Sequence, residues 1–106
     1  MRLYHNPRCS KSRQAFNLLK EREIEFEDYR YLDLGIHGED IELLSTLDGI
    51  IRKSDIDKEI ELAALKPREI QELLIQNPKF LQRPVLISNR KAIIGRPPEN
   101  ILILLP

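Results

Sequence analysis

The chain opens with large apolar side chains on alternate positions, Met1 and Leu3 and then His5, and Pro7 ends the run. A period of two predicts a strand, and proline stops it because it has no N–H to donate to a ladder. Beyond Cys9 the period changes. Ala15, Phe16 and Leu19, with Leu18 beside them, recur at helical spacing through SRQAFNLLKERE while the charges fall on the other face, so a helix is predicted to start at or just after Cys9. IEFEDYRYL sets Ile24, Phe26, Asp28 and Arg30 against Glu25, Glu27, Tyr29 and Tyr31, the pattern of a second strand with two unequal faces. From Glu39 to Asn77 the pattern turns helical, through EDIELLSTL, SDIDKEIELAAL with Ser54 as its cap, and KPREIQELLIQN with Pro67 in its first turn. RPVLISNRKAIIG carries two apolar runs about Asn89-Arg90, a tight antiparallel hairpin without the usual Asn-Gly. RPPENILILLP closes as a short helix after Pro97 and Pro98.

The predicted order is therefore βα, β, a helical segment, then ββα. It suits an α/β chain with the thioredoxin-like fold, a mixed four-stranded sheet here carrying a helical insertion at about residues 39–80, as one domain over 1–106.

Composition narrows the function. The 17 basic and 17 acidic residues cancel, so no global field argues for nucleic acid or an anionic membrane, and any cationic site must be local. No apolar run approaches the roughly 20 residues of a bilayer-spanning helix. One cysteine cannot close an internal disulfide, and the first residues lack the pattern of a secretory leader; the expected compartment is the cytoplasm.

That cysteine stands in HNPRCSKSR, among Arg8, Lys11 and Arg13. A lone cysteine is most commonly a small buried apolar side chain, but these flanks are cationic and polar. At the start of a helix its sulfur would face unpaired N–H groups and the positive end of the macrodipole, which with nearby cations favours thiolate. The same N–H groups, with the Ser10 and Ser12 hydroxyls and the Arg13 guanidinium, would cradle an oxyanion. Ser10 and Ser12 could equally be plain helix caps, and His5 could either fill space on the strand or orient the loop and tune the thiol. His37, in GIHG, reads as an exposed loop residue, and His5, Cys9 and His37 have no metal-ligand spacing.

YHNPRCSKSR closely resembles the active-site segment of the glutaredoxin-dependent arsenate reductases, a thioredoxin-fold family whose catalytic cysteine follows His-Asn-Pro and one variable residue and precedes a Ser-Arg pair. The likeness extends along the chain and is closest to a short branch of that family. It implies Cys9 as the nucleophile, with His5, Asn6, Ser12 and Arg13 in the supporting segment. Three arginines distant in sequence would bind the oxyanion: Arg52 in GIIRKSD, Arg83 in FLQRPVLI and Arg96 in IIGRPPE. It also implies a cis proline at Pro84 facing the cysteine. Arg8, Lys11 and Lys53 would add to the field, and Arg13 to the field or to binding.

The chemistry implied is attack of Cys9 on arsenate, loss of water or hydroxide, displacement of a second oxygen by glutathione as reducing co-substrate, and resolution by glutaredoxin with release of arsenite. No bound cofactor or metal is implied, and neither nucleic acid nor membrane is a partner. Ser12 occupies the place of the second cysteine in a Cys-x-x-Cys pair, so the resolving thiol is external; the Ser12 hydroxyl could instead donate to the thiolate. Three other readings compete: an RNA polymerase-binding regulator resembling the Spx-type proteins, a monothiol glutaredoxin-like enzyme, and a thiol enzyme for another oxyanion.

Overall fold

The computed structural model describes residues 1–56 and 61–106. Four short strands, β1 (Arg2–Tyr4), β2 (Glu27–Tyr29), β3 (Val85–Ser88) and β4 (Lys91–Ile94), form one sheet in the order β2-β1-β3-β4. β1 runs parallel to β2 and antiparallel to β3, and β3 pairs antiparallel with β4. This is the mixed sheet expected of a thioredoxin-like chain.

β1 lies inside the sheet, and both its faces are covered. Leu3 packs with Ala15 and Leu19 of helix α1 (Ser10–Glu21), with Leu86 and with Ile101, while Tyr4 packs on the other side against Tyr29, Tyr31, Leu44, Leu74 and Leu81. Leu3 and Tyr4 are both fully buried. The alternating pattern is thus only half of the account, because an interior strand with layers on both faces buries apolar side chains on each of them.

The second strand is shorter than IEFEDYRYL suggests. Arg30 turns back to grip Asp28 with two hydrogen bonds of 2.8 Å, and Tyr31–Leu34 forms one helical turn, α2, ended by Gly35 at φ +77°. Tyr31 leaves the sheet and enters the core.

Between α2 and β3 lie α3 (Ile41–Ser45) and α4 (Pro67–Gln76). α4 begins as expected, with Pro67 at its first position and the Glu69 carboxylate accepting the Lys66 N–H at 3.0 Å. The helix expected over SDIDKEIELAAL falls in part on residues 57–60, outside the described residues. On either side are single 3-10 turns, Lys53–Asp55 and Leu62–Ala64, and both Ile56 and Glu61 are extended. Ser54 sits inside the first of these turns and does not cap a helix.

The hairpin turn takes positive φ at both central residues, Asn89 at 50° and Arg90 at 62°, which is what a two-residue turn between twisted strands needs. The closing helix is a 3-10 segment, Pro98–Leu104, that buries Ile101 against the face of the sheet covered by α1.

Candidate active site

The loop joining β1 to α1 is held by its own polar groups. The Asn6 N–H donates to the Ser12 hydroxyl at 2.9 Å, and the His5 Nδ1 lies 2.6 Å from that same oxygen. Asn6 also accepts the Arg8 N–H on its side-chain oxygen and the Cys9 N–H on its carbonyl, both at 3.0 Å. Arg13 reaches back from α1 to the Pro7 carbonyl at 2.9 Å, so it braces the loop. His5 is buried and stacks on Phe16 with centroids 4.8 Å apart. Burial, aided by Arg30 and Arg13 and opposed by Asp28, holds its pKa below the usual imidazole value.

Cys9 occupies the N-cap position of α1 in extended conformation, which sets its sulfur beside the first N–H groups of the helix. The Lys11 and Ser12 N–H groups and the Arg83 side chain favour its ionised form, and the Arg96 Nη2 donates to it at 3.6 Å. Burial pushes the thiol up, but these donors and the Arg96 charge outweigh it and the pKa falls below its ordinary value. The Ser12 hydroxyl takes no part in this. It is fully buried and engaged by His5 and Asn6, so Ser12 serves the sulfur through its N–H rather than through the hydroxyl donation that a Cys-x-x-Ser pattern suggests. Ser10, first residue of α1, is exposed and is not the cap, since Cys9 holds that place.

The two arginines arrive from β3 and β4. The Arg83–Pro84 peptide is cis, as the resemblance implies, and so is Arg96–Pro97. The Arg96 Nε donates to the Arg83 carbonyl at 2.8 Å, and the Gly95 N–H donates to the Pro84 carbonyl at 2.8 Å, so the two arginine segments are bonded to each other beside the sulfur. Arg52 comes from the segment between α3 and α4. Its N–H donates to the Phe80 carbonyl and the Gln82 N–H to the Ile50 carbonyl, each at 2.7 Å. Arg52, Lys53, Gln82 and Arg96 line a cleft of about 360 Å³. Arg52 therefore joins the site through the cleft it shares with Arg96, whereas Arg83 and Arg96 reach the sulfur itself.

His37 is not the exposed loop residue its glycine neighbours suggest. Its N–H donates to the Tyr4 hydroxyl at 3.1 Å, its Nδ1 accepts the Glu39 N–H, and its ring lies 5.9 Å from that of Tyr29. Among the described residues no three His, Cys, Asp or Glu side chains come together as a metal-ligand group, and no helix is long and apolar enough to cross a membrane.

Two contributors escape a reading of the sequence. Gln82 lines the cleft, and Gly95 lets the chain pass so close to Pro84 that a Cβ there would meet the ring Cγ at 2.8 Å. The only signal for Gly95 is its position, between an apolar strand and Arg96-Pro97. Together these groups form a thiol of lowered pKa facing two guanidinium forks, an arrangement whose ionised form can attack an electrophilic centre carrying anionic oxygens.

A family model described as the ArsC family matches residues 4–104. An uncharacterized protein of Escherichia coli, YfgD, is 39% identical over 96% of this chain and 93% of its own length. An arsenate reductase of Neisseria meningitidis is 37% identical over 95% of this chain and 94% of its own. The solved structure of the arsenate reductase from Vibrio cholerae superposes with a TM-score of 0.75 at 29% identity, covering 99% of this chain and 98% of that one. More distant relatives include the global transcriptional regulator Spx of Streptococcus agalactiae, 24% identical over 98% of this chain and 82% of its own length.

Proposed function

Because the chain belongs to the ArsC family, we propose that it is an oxidoreductase that reduces arsenate with external thiols, glutathione supplying reducing equivalents and glutaredoxin completing the cycle. The observation that carries the reading is the convergence on the Cys9 sulfur of Arg83 and Arg96, from separate strand ends. A thiolate approaching arsenate meets like-charge repulsion, and guanidinium groups that stay protonated offset it while pairing with the oxygens.

In this reading Cys9 bonds to arsenic and one oxygen leaves as water. Arg83 and Arg96 hold the remaining oxygens, with Arg52 at the far wall of the cleft. Glutathione then adds its thiol, two thiols are oxidised to one disulfide, and arsenic passes from the pentavalent to the trivalent state and leaves as arsenite. One water is formed per arsenate, so atoms and electrons balance. The chain has a single cysteine, which supports an external rather than an internal resolving thiol. A reducing cytoplasm is the proposed setting.

The test is arsenate-dependent NADPH oxidation by the purified protein with glutathione, glutaredoxin and glutathione reductase, with Cys9→Ser as control. Turnover that needs Cys9 is expected. A folded protein with a reactive thiol and no turnover would overturn the arsenate reading in favour of another oxyanion.

A further inference from the structure

We infer that the rim around Cys9 is a docking face for a protein thiol donor whose reactive cysteine is ringed by acidic side chains. This rests on the reductase reading above, in which the thiol that frees Cys9 belongs to another molecule.

The chain is neutral overall, so a cationic surface can only be local. Arg8 precedes the thiol in the loop, Lys11 follows it in the first turn of α1, Lys53 stands in the cleft wall beside Arg52, and Lys79 lies in the turn whose carbonyl accepts the Arg83 guanidinium. All four are exposed. Among the described residues no carboxylate pairs with any of them, although Arg2, Arg30 and Arg68 each have an acidic partner. At the opposite end of the sheet, where β1 and β2 begin and the β3–β4 hairpin turns, a cleft of about 690 Å³ is lined by the carboxylates of Glu27, Glu39, Asp40 and Glu42 together with Arg2 and Arg90, and Arg2 pairs with two of those carboxylates. Among the described residues the surface around the thiol thus carries four exposed cations that no carboxylate pairs, with Asp33 in the cleft beside Arg8.

Arg83 and Arg96 are engaged at the sulfur, so the outer four cations are surplus to a small anion. They flank the thiol on both sides, on the loop before α1 and on the segments before β3, and this breadth suits a protein surface better than a single small thiol. Unpaired rim charges of one sign attract a partner of the other and orient it before contact, raising association rates by factors of 10 to about 1,000 at low salt. An acidic partner would be turned by this field toward Cys9 and away from the glutamate-rich end.

The test isolates docking from arsenate chemistry. Cys9 is first converted to its mixed disulfide with glutathione; the thiolate of a glutaredoxin then attacks the glutathione sulfur, forming a disulfide with it and releasing Cys9 as thiolate. The probe is a glutaredoxin with carboxylates around its reactive cysteine, compared with its own variant bearing the corresponding amides and with dithiothreitol. The second-order rate with the acidic glutaredoxin should fall about tenfold between low and physiological salt, as the screening length shortens from about 30 to about 8 Å, while the dithiothreitol rate stays level. An Arg8→Glu/Lys79→Glu double variant should lose about tenfold with the acidic glutaredoxin only, and lose its salt dependence. A rate indifferent to salt, an equal loss with dithiothreitol, or an amide partner as fast as the acidic one would each overturn the inference. No arsenate enters this assay, so failed arsenate turnover beside charge-dependent reduction counts against the reductase reading alone.

Discussion

His5 Nδ1 and the Ser12 hydroxyl oxygen lie 2.6 Å apart, and this buried bond ties the end of β1 to the first turn of α1. Ser12→Ala leaves the ring nitrogen and the Asn6 N–H without that partner, so it should cost about 1–3 kcal/mol of stability in urea titration. It should also raise the pH midpoint of Cys9 alkylation, since the N–H groups facing the sulfur are held by the same turn. An unmoved midpoint would mean that Ser12 holds the loop without tuning the thiol.

Arg96→Ala removes a charge 3.6 Å from the sulfur. The alkylation midpoint should rise, and arsenate should protect Cys9 less well, by about 1.5–3 kcal/mol as for a hydrogen bond to a charged group. Unchanged protection would place Arg96 outside the binding set.

Gly95→Ala tests the same contact from behind. The new Cβ would sit 2.8 Å from the Pro84 Cγ and 3.1 Å from the Ile101 Cγ2, and neither neighbour is a flexible side-chain end. An overpacking cost of about 1–3 kcal/mol is expected, with the alkylation midpoint displaced upward as Arg96 shifts. Loss of stability with no change at the thiol would show that the arginine is positioned independently of this crossing.

Acidification should act through two groups of the same sign. The folded Cys9 thiol titrates below its reference value of 9.0, so its contribution to stability is present above that value and lost as pH falls through the lowered one. His5 is likewise depressed below 6.5, and its contribution is present above 6.5 and lost as pH falls through the folded value. Thermal melts across pH should show the first decline missing in Cys9→Ser and the second missing in His5→Gln. Melting profiles of both variants parallel to that of the wild type would contradict the assignment.

Away from the thiol, Asp40 is almost fully buried and accepts from the Tyr4 hydroxyl at 2.6 Å and from Arg2 at 2.7 Å. Burial and the bond to Asp40 push the Tyr4 phenol far above its usual pKa, so it stays protonated as the donor. Asp40→Ala should cost about 2–3 kcal/mol, less than the 3–5 of a broken fully buried pair because Arg2 keeps Glu27 at 2.6 Å. Cys9 alkylation should be unaffected; a changed rate would reveal coupling between the two ends of the sheet.

What the chain discloses in advance follows the range of the interactions involved. Cys9 at the head of α1 is legible because Pro7 and the spacing of Ala15, Phe16 and Leu19 are local signals. The hairpin about Asn89-Arg90 is legible for the same reason, even with an arginine at positive φ. Tyr4 is not, since alternation cannot say that layers cover both faces of β1, and the Arg2–Asp40–Tyr4 network joins residues 38 and 36 positions apart. The end of β2 is misplaced because the Arg30 carbonyl accepts the Asp33 and Leu34 N–H groups and opens α2 instead of continuing the ladder. The expected helix from Ser54 fails at its described flanks, where Ile56 and Glu61 are extended. Arg83, Pro84 and Arg96 are accessible only through family likeness, because periodicity carries no information about which loop faces a sulfur, and the cis bond at Pro97 is signalled by neither.

The groups that acidify Cys9 come from the start of α1, from Arg83 and from Arg96, which stands 87 positions further along the chain. An unfolded chain, with none of these groups at the sulfur, therefore carries an ordinary thiol, sluggish toward electrophiles near neutral pH. Reactivity is acquired only on completing the native contacts, so nascent and unfolded molecules are shielded from stray alkylation and oxidation by their own lack of structure, and the rate of thiol labelling doubles as a chemical gauge of how many molecules in a sample are folded.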